Sequence, residues 1–569
     1  MPKLNILLFL FALLCAAATA QTPTDSLWIE AGNLRICLRA DGSLYSGAPG
    51  GAVLYRHTSP QGEAKWVKVV QDAGLWFGGL DPGANLLLSV QKFEPRATDF
   101  RAGFAGVPGS GKIWSVTLEQ IEQHVADYSD NAHIDNPIEA IFAWPGKGNR
   151  FFEGYNGFAL PENFALRYNF YDNNLNKEYE PDQGDFPVIR PRGGGAFPLF
   201  PDQMHFFAFH TDTIGMFPNQ GIGQLPIQGT GQMLAYRCDE KPVLGNSFFM
   251  AFEWQNTSND PIDSAQVGLY MNADIGNPDD DYHGSLWDSY FTYNAAAIDS
   301  GGFEAHPPLL MTGVISLPVD DNGNIQQARL VPIWPTNTPL VSPAMWSPEK
   351  PAEYFNYLTA RWRDGSPMQK TGNGYGWFPA PVTERAFEGN PYLPGAWTEI
   401  SAQNTPGDRR GVLSWDTRVL PPQWTNRLMY KTTLYPRDTA LTPRSWFDAI
   451  VSEENFIQDG FIHGHEFMYL APTCRNWPGF SFQRLFVRVF PNPSSALLNV
   501  LIDGGQPEYV RLYDALGRIV TERAFPCDPY CDRENPVQLS VAQLPAGMYV
   551  VEVVAAKTGE RAIRKVVVH

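Results

Sequence analysis

Short apolar runs separated by glycine- or proline-bearing turns recur from one end of this chain to the other. With 51 glycines and 48 prolines among 569 residues, few stretches stay uninterrupted long enough for a long helix. That spacing argues for a loop-rich, mainly β protein. It is clearest at the C-terminal end, where Leu497–Ile502, Val510–Tyr513, Ile519–Arg523, Met548–Val554 and Ile563–Val568 read as five strands of one small unit. Asp514-Ala515-Leu516-Gly517 and Leu544-Pro545-Ala546-Gly547 read as turns between them, glycine being free to take positive φ. Pro491-Asn492-Pro493 ahead of the unit cannot continue a helix and forms a stiff lead-in.

The long region before this unit shows no fixed-period repeat. Leu34–Leu38, Trp66–Val70 and Leu86–Val90 are strand-like. Ser247–Asn256 and Ala265–Asp274 read as long neighbouring strands across a turn-rich link, and Arg427–Tyr435 is the clearest late strand. One helix is well signalled: Thr117 and Gln120 form a capping-box pattern, and Leu118, Ile121 and Val125 share a face, with an end expected near Tyr128. The expected body is a β-sandwich-rich region of two packed β layers, with a division into two lobes near 310–350 as one arrangement.

The first residues have a different character. Lys3, the apolar Leu4–Leu14 and the small-residue site Ala18-Thr19-Ala20 before Gln21 read as a secretory signal peptide over residues 1–20, cleaved between Ala20 and Gln21. Cys15 follows Leu14, where a lipoprotein would have a small residue, and no later run approaches the roughly 18 apolar residues of a membrane span. Five cysteines then remain, in a chain large enough to fold without disulfides. Cys527 and Cys531, flanking three residues in one loop, are the candidate pair.

The formal net charge is −18, and from Val487 onward nine Lys/Arg balance nine Asp/Glu, so the whole excess lies in the body. Such a surface repels phosphate backbones and argues against nucleic acid as a partner. It is compatible with calcium and with neutral glycans.

Phe490–Pro493, Val510–Asp514 with Gly517-Arg518, Leu544–Tyr549 and the basic, β-branched terminus occur in a specific order. The tail, residues 485–569, thereby resembles the type A C-terminal sorting domain of type IX secretion cargo, with Pro491, Asn492, Pro493, Gly517, Pro545, Gly547 and Tyr549 as its motif positions. The resemblance implies an immunoglobulin-like sandwich that engages the type IX machinery, carries the chain from the periplasm across the outer membrane, and is removed or exchanged for a surface anchor. The body, residues 21–484, is similar to an uncharacterised family of large secreted proteins with the same tail. The residues that carry this likeness are Gly74–Gly79, Trp144–Asn149, Gly184–Pro187, Asn272–Gly276 with Asp280–Gly284, Tyr357-Leu358 with Arg363–Gly365, and Gly407–Gly411. It implies export and no particular reaction.

Two acidic stretches are candidate calcium loops. Asp172, Asn174 and Asn176 alternate, with Glu178, Asp182 and Asp185 following, as suits a hard cation that takes roughly six to eight oxygens. Lys177 and Gln183 depart from the EF-hand pattern, where glycine and a bidentate glutamate are needed. The second stretch is Asp274, Asp279, Asp280 and Asp281 with Asp288; adjacent aspartates repel one another unless a cation or solvent screens them. A solvated polar loop is the alternative for both.

Catalytic patterns are weaker. Gly106–Lys112 resembles a phosphate loop but has Ile113 where magnesium needs Ser or Thr. His463 and His465 lack a further ligand, and neither a Gly-x-Ser-x-Gly elbow nor a His-Glu-x-x-His helix is present. Gly374–Pro379 and Asn390–Trp397 carry aromatics suited to stacking on sugars or to filling a β core. The expectation is a secreted or outer-surface binding or structural module. The alternative is an extracellular hydrolase acting on polysaccharide, with its carboxylates unassigned.

Overall fold

The computed structural model describes residues 26–41, 51–59, 62–93, 96–161, 170–174, 176–188, 201–211, 217, 222–237, 242–376, 379–463, 486–490, 494–503, 507–524, 537–555 and 561–569. The chain divides into two compact units, one of Met1–Pro187 with Pro201–Glu454, the other of Val188–Phe200 with Asn455–His569.

Two large antiparallel sheets make up the first unit. The first sheet runs in the order Ser26–Ala31, Leu34–Arg39, Val53–Thr58, Ala64–Leu80, Ile262–Ala273, Arg410–Leu420 and Arg329–Ile333, with Leu86–Phe93 also paired to Ala64–Leu80. The second runs Asp281–Leu286, Ser289–Asn294, Leu309–Ser316, Thr425–Tyr435, Ser247–Asn256, Ile227–Ala235, Gln203–Thr211 and Phe100–Ala102.

Strand Ala64–Leu80 is central because its pleat serves two cores. Ala73, Leu75 and Phe77 join Leu269, Phe207, Phe252 and Tyr430 between the sheets, while Trp76 turns to the opposite face among Tyr270, Tyr354, Tyr357, Leu358 and Trp362. The latter core lies under helix α1 (Pro351–Leu358), which begins with proline at its first position; the Glu353 carboxylate accepts from the Lys350 and Glu349 N–H groups at 3.0 and 2.7 Å. Gly78 permits this docking, since a Cβ there would lie 2.8 Å from the Phe355 ring.

Helix α2 (Pro443–His463) begins in the first unit, where its Trp446, Phe447 and Ile450 pack on Phe291, Met311 and Tyr435 at the outer face of the second sheet. Beneath it Lys431 and Glu454 form a buried ion pair that also takes the Tyr435 hydroxyl at 2.5 Å. Burial lowers the pKa of the Lys431 ammonium, and the Glu454 carboxylate opposes that shift.

The signalled helix is present as Leu118–Asn131 with both halves of its capping box, Gln120 N–H to Thr117 Oγ1 at 3.3 Å and Thr117 N–H to Gln120 Oε1 at 2.9 Å. It continues past Tyr128 to a left-handed cap at Ala132. One expectation is corrected. Ser247–Asn256 and Ile262–Ala273 are not neighbours in one sheet, because the chain crosses between them from the second sheet to the first. The crossing lets Phe248, Met250 and Phe252 face Val267, Leu269 and Met271 across one core, and the Asn256 amide secures it by donating to the carbonyls of Asp260 and Leu420 at 2.8 and 3.1 Å.

Among the described residues, the second unit holds the five expected tail strands and two more, Phe486–Phe490 and Val537–Ser540. They form sheets of three and four antiparallel strands around one core that includes Leu498, Val500, Leu539, Leu512, Val551 and Val566. In the Asp514 turn the carboxylate accepts from the N–H groups of Leu516 and Arg518, and Gly517 takes φ 77°. The Tyr549 hydroxyl donates to Pro545 O at 2.8 Å, tying the second turn to its following strand.

Removing one partner of a buried ion pair leaves an uncompensated charge. Glu454→Ala is therefore expected to destabilise the first unit of the full-length protein by about 3–5 kcal/mol, read as a lower urea midpoint for its unfolding transition.

Candidate functional site

The first acidic loop is closed at its base by a two-residue ladder, Tyr171 opposite Phe186, with the rings stacked at 4.7 Å. The loop's oxygens turn onto its own backbone. Asp172 accepts from the N–H groups of Asn176 and Lys177 at 3.1 and 2.9 Å, Asn174 Oδ1 from Asn176 N–H at 3.1 Å, and Asn176 Oδ1 from Glu178 N–H at 2.8 Å. Glu178 pairs with Lys147 at 3.2 Å and Asp182 pairs with Arg150. Lys177, at the EF-hand glycine position, adopts φ 69° as that position requires.

Asp185 is fully buried and accepts from the N–H groups of Asn173 and Glu180 at 2.7 and 2.8 Å. Burial pushes its pKa up to about 7, against these two hydrogen bonds and with the charges of Asp172 and Glu180 adding to the rise.

The second acidic stretch is spread over a longer distance. Asp274 is buried at the end of Ile262–Ala273, where Lys68 meets it at 2.8 Å, and burial raises its pKa to about 6. Asp281 is buried, accepts from Ile275 N–H at 3.0 Å, and is raised well above the usual carboxylate range by burial. Asp280 accepts from the Asn294 amide at 2.8 Å, and Asp279 is exposed in the short 3-10 turn Pro278–Asp280. Asp288 stands apart at the far end of Asp281–Leu286, about 20 Å along a strand of this length, and accepts from Ala328 N–H at 2.8 Å.

Asp127, Asp130 and Asp135 do converge, their oxygens lying within 4.8 Å of one another at the end of the Leu118–Asn131 helix. The sequence signal was two aspartates three apart on one helical face. Of the other sequence-predicted positions, Ala20, Gln21, Pro491, Asn492, Pro493, Cys527 and Cys531 lie outside the described residues. The phosphate-loop look-alike is a turn in which Ser110 Oγ accepts from Phe104 N–H and donates to Val107 O, and Lys112 lies over the rings of Trp114 and Phe158.

A wide, open cleft of about 750 Å³ lies at the N-terminal end of α1. Trp346 and Tyr375 provide flat walls, Thr336, Asn337 and Ser342 provide neutral polar groups, and Glu349, Glu353, Arg363 and Asp364 provide charge. Arg363 holds both glutamates, Glu353 at 2.9 Å and Glu349 at 3.1 Å. Asp364 accepts from Ser366 N–H and Oγ and from the Tyr375 hydroxyl. The Tyr375 loop is held by Trp362, whose indole N–H donates to Gly374 O at 2.9 Å; Gly374 takes φ 92° and a Cβ there would lie 3.0 Å from the same indole.

Every carboxylate of the cleft is engaged, Glu349 and Glu353 sharing the Arg363 guanidinium and Asp364 accepting from Ser366 and Tyr375. Three carboxylates against one guanidinium disfavour an anionic ligand. Aromatic faces with hydroxyl and amide groups suit a neutral polar one. Sequence reading singled out Tyr375. Arg363 and Asp364 entered only through the likeness to the secreted family, and Trp346 and Glu353 carried no local signal, because folding alone brings these separate segments together.

Residues 488–569 match the family described as the secretion system C-terminal sorting domain. The tail thus marks the chain as cargo for type IX export to the cell surface or the extracellular space. No curated protein matches the chain.

A carboxylate whose native pKa is raised binds more protons in the folded state between its ordinary value and the raised one. The Asp185 contribution to stability therefore falls as pH rises from about 4 to about 7. His124, lowered to about 4 by burial, has the opposite slope over an overlapping range, so the informative quantity is a difference. The stability of Asp185→Asn relative to the parent is expected to increase from pH 4 to pH 7.5 by on the order of a few kcal/mol, measured from urea midpoints.

Proposed function

We propose that the protein is a type IX secretion cargo whose body acts outside the cell as a binding module for neutral glycans, with the wide cleft as its binding face. In this reading residues 1–20 carry the chain to the periplasm and are cut off between Ala20 and Gln21, and the tail then engages the export machinery. The sorting-domain match over 488–569 carries the export half of the reading. The binding half rests on the pairing of Trp346 and Tyr375 with neutral polar groups in a cleft whose carboxylates are already engaged.

Deleting residues 485–569 in a bacterium with a type IX system is expected to leave the body in the periplasm while the full chain reaches the surface or medium. Normal secretion of the truncated chain refutes the export claim. Incubated with a panel of insoluble polysaccharides, the exported protein should be retained on at least one without releasing reducing ends. Trp346→Ala with Tyr375→Ala should weaken retention about tenfold or more, and release of reducing ends would make the body a hydrolase.

A further inference from the structure

The four-stranded sheet of the second unit, which includes Pro507–Tyr513, Ile519–Ala524, Gly547–Ala555 and Arg561–Val568, has an unusual outward side. An antiparallel sheet packed on one face alternates apolar residues inward with polar residues outward. Here Tyr549, Val551, Leu512 and Val566 enter the core, which turns Met548, Val550, Ile563 and Val567 away from it. The register sets these outward residues side by side. Met548 lies opposite Val567, Val550 lies between Tyr513 and Lys565, and Ile519 lies opposite Tyr513, while Ile563 lies opposite Glu552. Met548 is 58% exposed, Ile563 56%, Ile519 50% and Val567 38%. The other exposed large apolar side chains described in this unit lie elsewhere, Leu497 on the three-stranded sheet and Leu516 in the Asp514 turn.

Charged groups surround the patch. Arg511 pairs with Glu522, and the buried Glu552 accepts from the Tyr513 hydroxyl at 2.5 Å and meets Arg561 at 3.6 Å. The last strand contains no carboxylate. Its outward residues are Arg561, Ile563, Lys565 and Val567, cation and apolar group in alternation, each about 7 Å from the next. The surface that complements this strand is apolar, with carboxylates set among its apolar groups. Size separates the possible occupants: four partly exposed side chains make a patch on the order of a few hundred Å², well short of the roughly 800 Å² that each partner brings to a stable dimer. Such a patch suits a contact that forms and then releases. The unit that carries it is the one whose residues 488–569 match a sorting domain.

We infer that this outward face is where a component of the export machinery docks on the tail, through an apolar surface with carboxylates that covers Met548, Ile563 and Val567 and meets Lys565. The inference rests on the export reading of the tail and adds the surface by which the tail is handled.

The test is export of the full-length protein in a bacterium with a type IX system, read as the ratio of chain outside the cell to chain in the periplasm. Met548→Gln with Ile563→Thr and Val567→Thr removes the apolar surface and leaves the core untouched. This triple variant should lower the ratio about tenfold or more, and Lys565→Glu should lower it in the same direction. Leu497→Thr with Leu516→Thr, exposed on other surfaces of the unit, should leave it unchanged. The purified parent and triple variant should share one urea midpoint for the second unit and both run as monomers in ultracentrifugation. Normal export of the triple variant, or an equal loss in the Leu497–Leu516 variant, overturns the assignment, as does a dimer of the parent protein that the triple variant splits. If the triple variant fails to fold, Lys565→Glu decides, its normal export overturning the assignment. Export of the triple variant together with retention of the chain lacking residues 485–569 defeats the docking face and leaves the export reading standing; export of both defeats both.

Discussion

The first unit depends on a strand that is buried on both of its faces. Ala64–Leu80 gives alternate residues to the core between the sheets and to the core under α1, so neither the second sheet nor the α1 layer is ornamental. The close approach of α1 is a matter of missing side chains. Gly78 on this strand and Gly268 on its neighbour leave room for Phe355 and Leu358, and the helix thereby stands where its N-terminal end forms one wall of the wide cleft. The cleft is thus a consequence of core packing, and two groups of that core fix its walls, the Tyr357 hydroxyl donating to Trp346 O at 2.6 Å and the Trp362 indole to Gly374 O at 2.9 Å.

Charges buried in this unit are placed to hold loops against sheets. Arg409, on the loop leading into Arg410–Leu420, meets Glu399 at 3.3 Å and lies over the Trp334 ring at 4.8 Å, while Glu399 accepts from His283 N–H on the second sheet at 3.1 Å. Lys68 meets Asp274, and Lys431 meets Glu454. Lys68 with Asp274 and Lys431 with Glu454 join separate elements, Glu399 and Arg409 close a loop ten residues apart, and each pair is destabilising to halve because the surviving charge is left largely desolvated. Such pairs specify how the long loops return to the sheets.

The acidic stretches show how composition and geometry diverge. Alternating oxygens at Asp172, Asn174 and Asn176 have the spacing of a cation loop, and the loop does curl. Its acceptors are turned to neighbouring N–H groups, and Lys147 and Arg150 arrive from another part of the chain to meet Glu178 and Asp182. Spacing along the chain reports which oxygens are close, but it is silent on which donors reach them first.

Local signals were legible wherever the determining interaction spans a few residues. The capping box at Thr117 and Gln120, the glycine turn at Asp514–Gly517 and the period-two strands of the tail all depend on backbone geometry and near neighbours, and each is present in the structure. The sequence by itself also determined the export tail, because its motif is local and ordered. What only the tertiary structure decided is which strands pair and which side chains meet. Ser247–Asn256 and Ile262–Ala273 lie in opposite sheets because both carry apolar residues that one core can absorb, a condition that no window of sequence contains. Side-chain neighbours follow the same rule: Trp346 and Tyr375 come to line one cleft, and Tyr293 meets Tyr392 at 6.0 Å, through long-range burial and not through spacing.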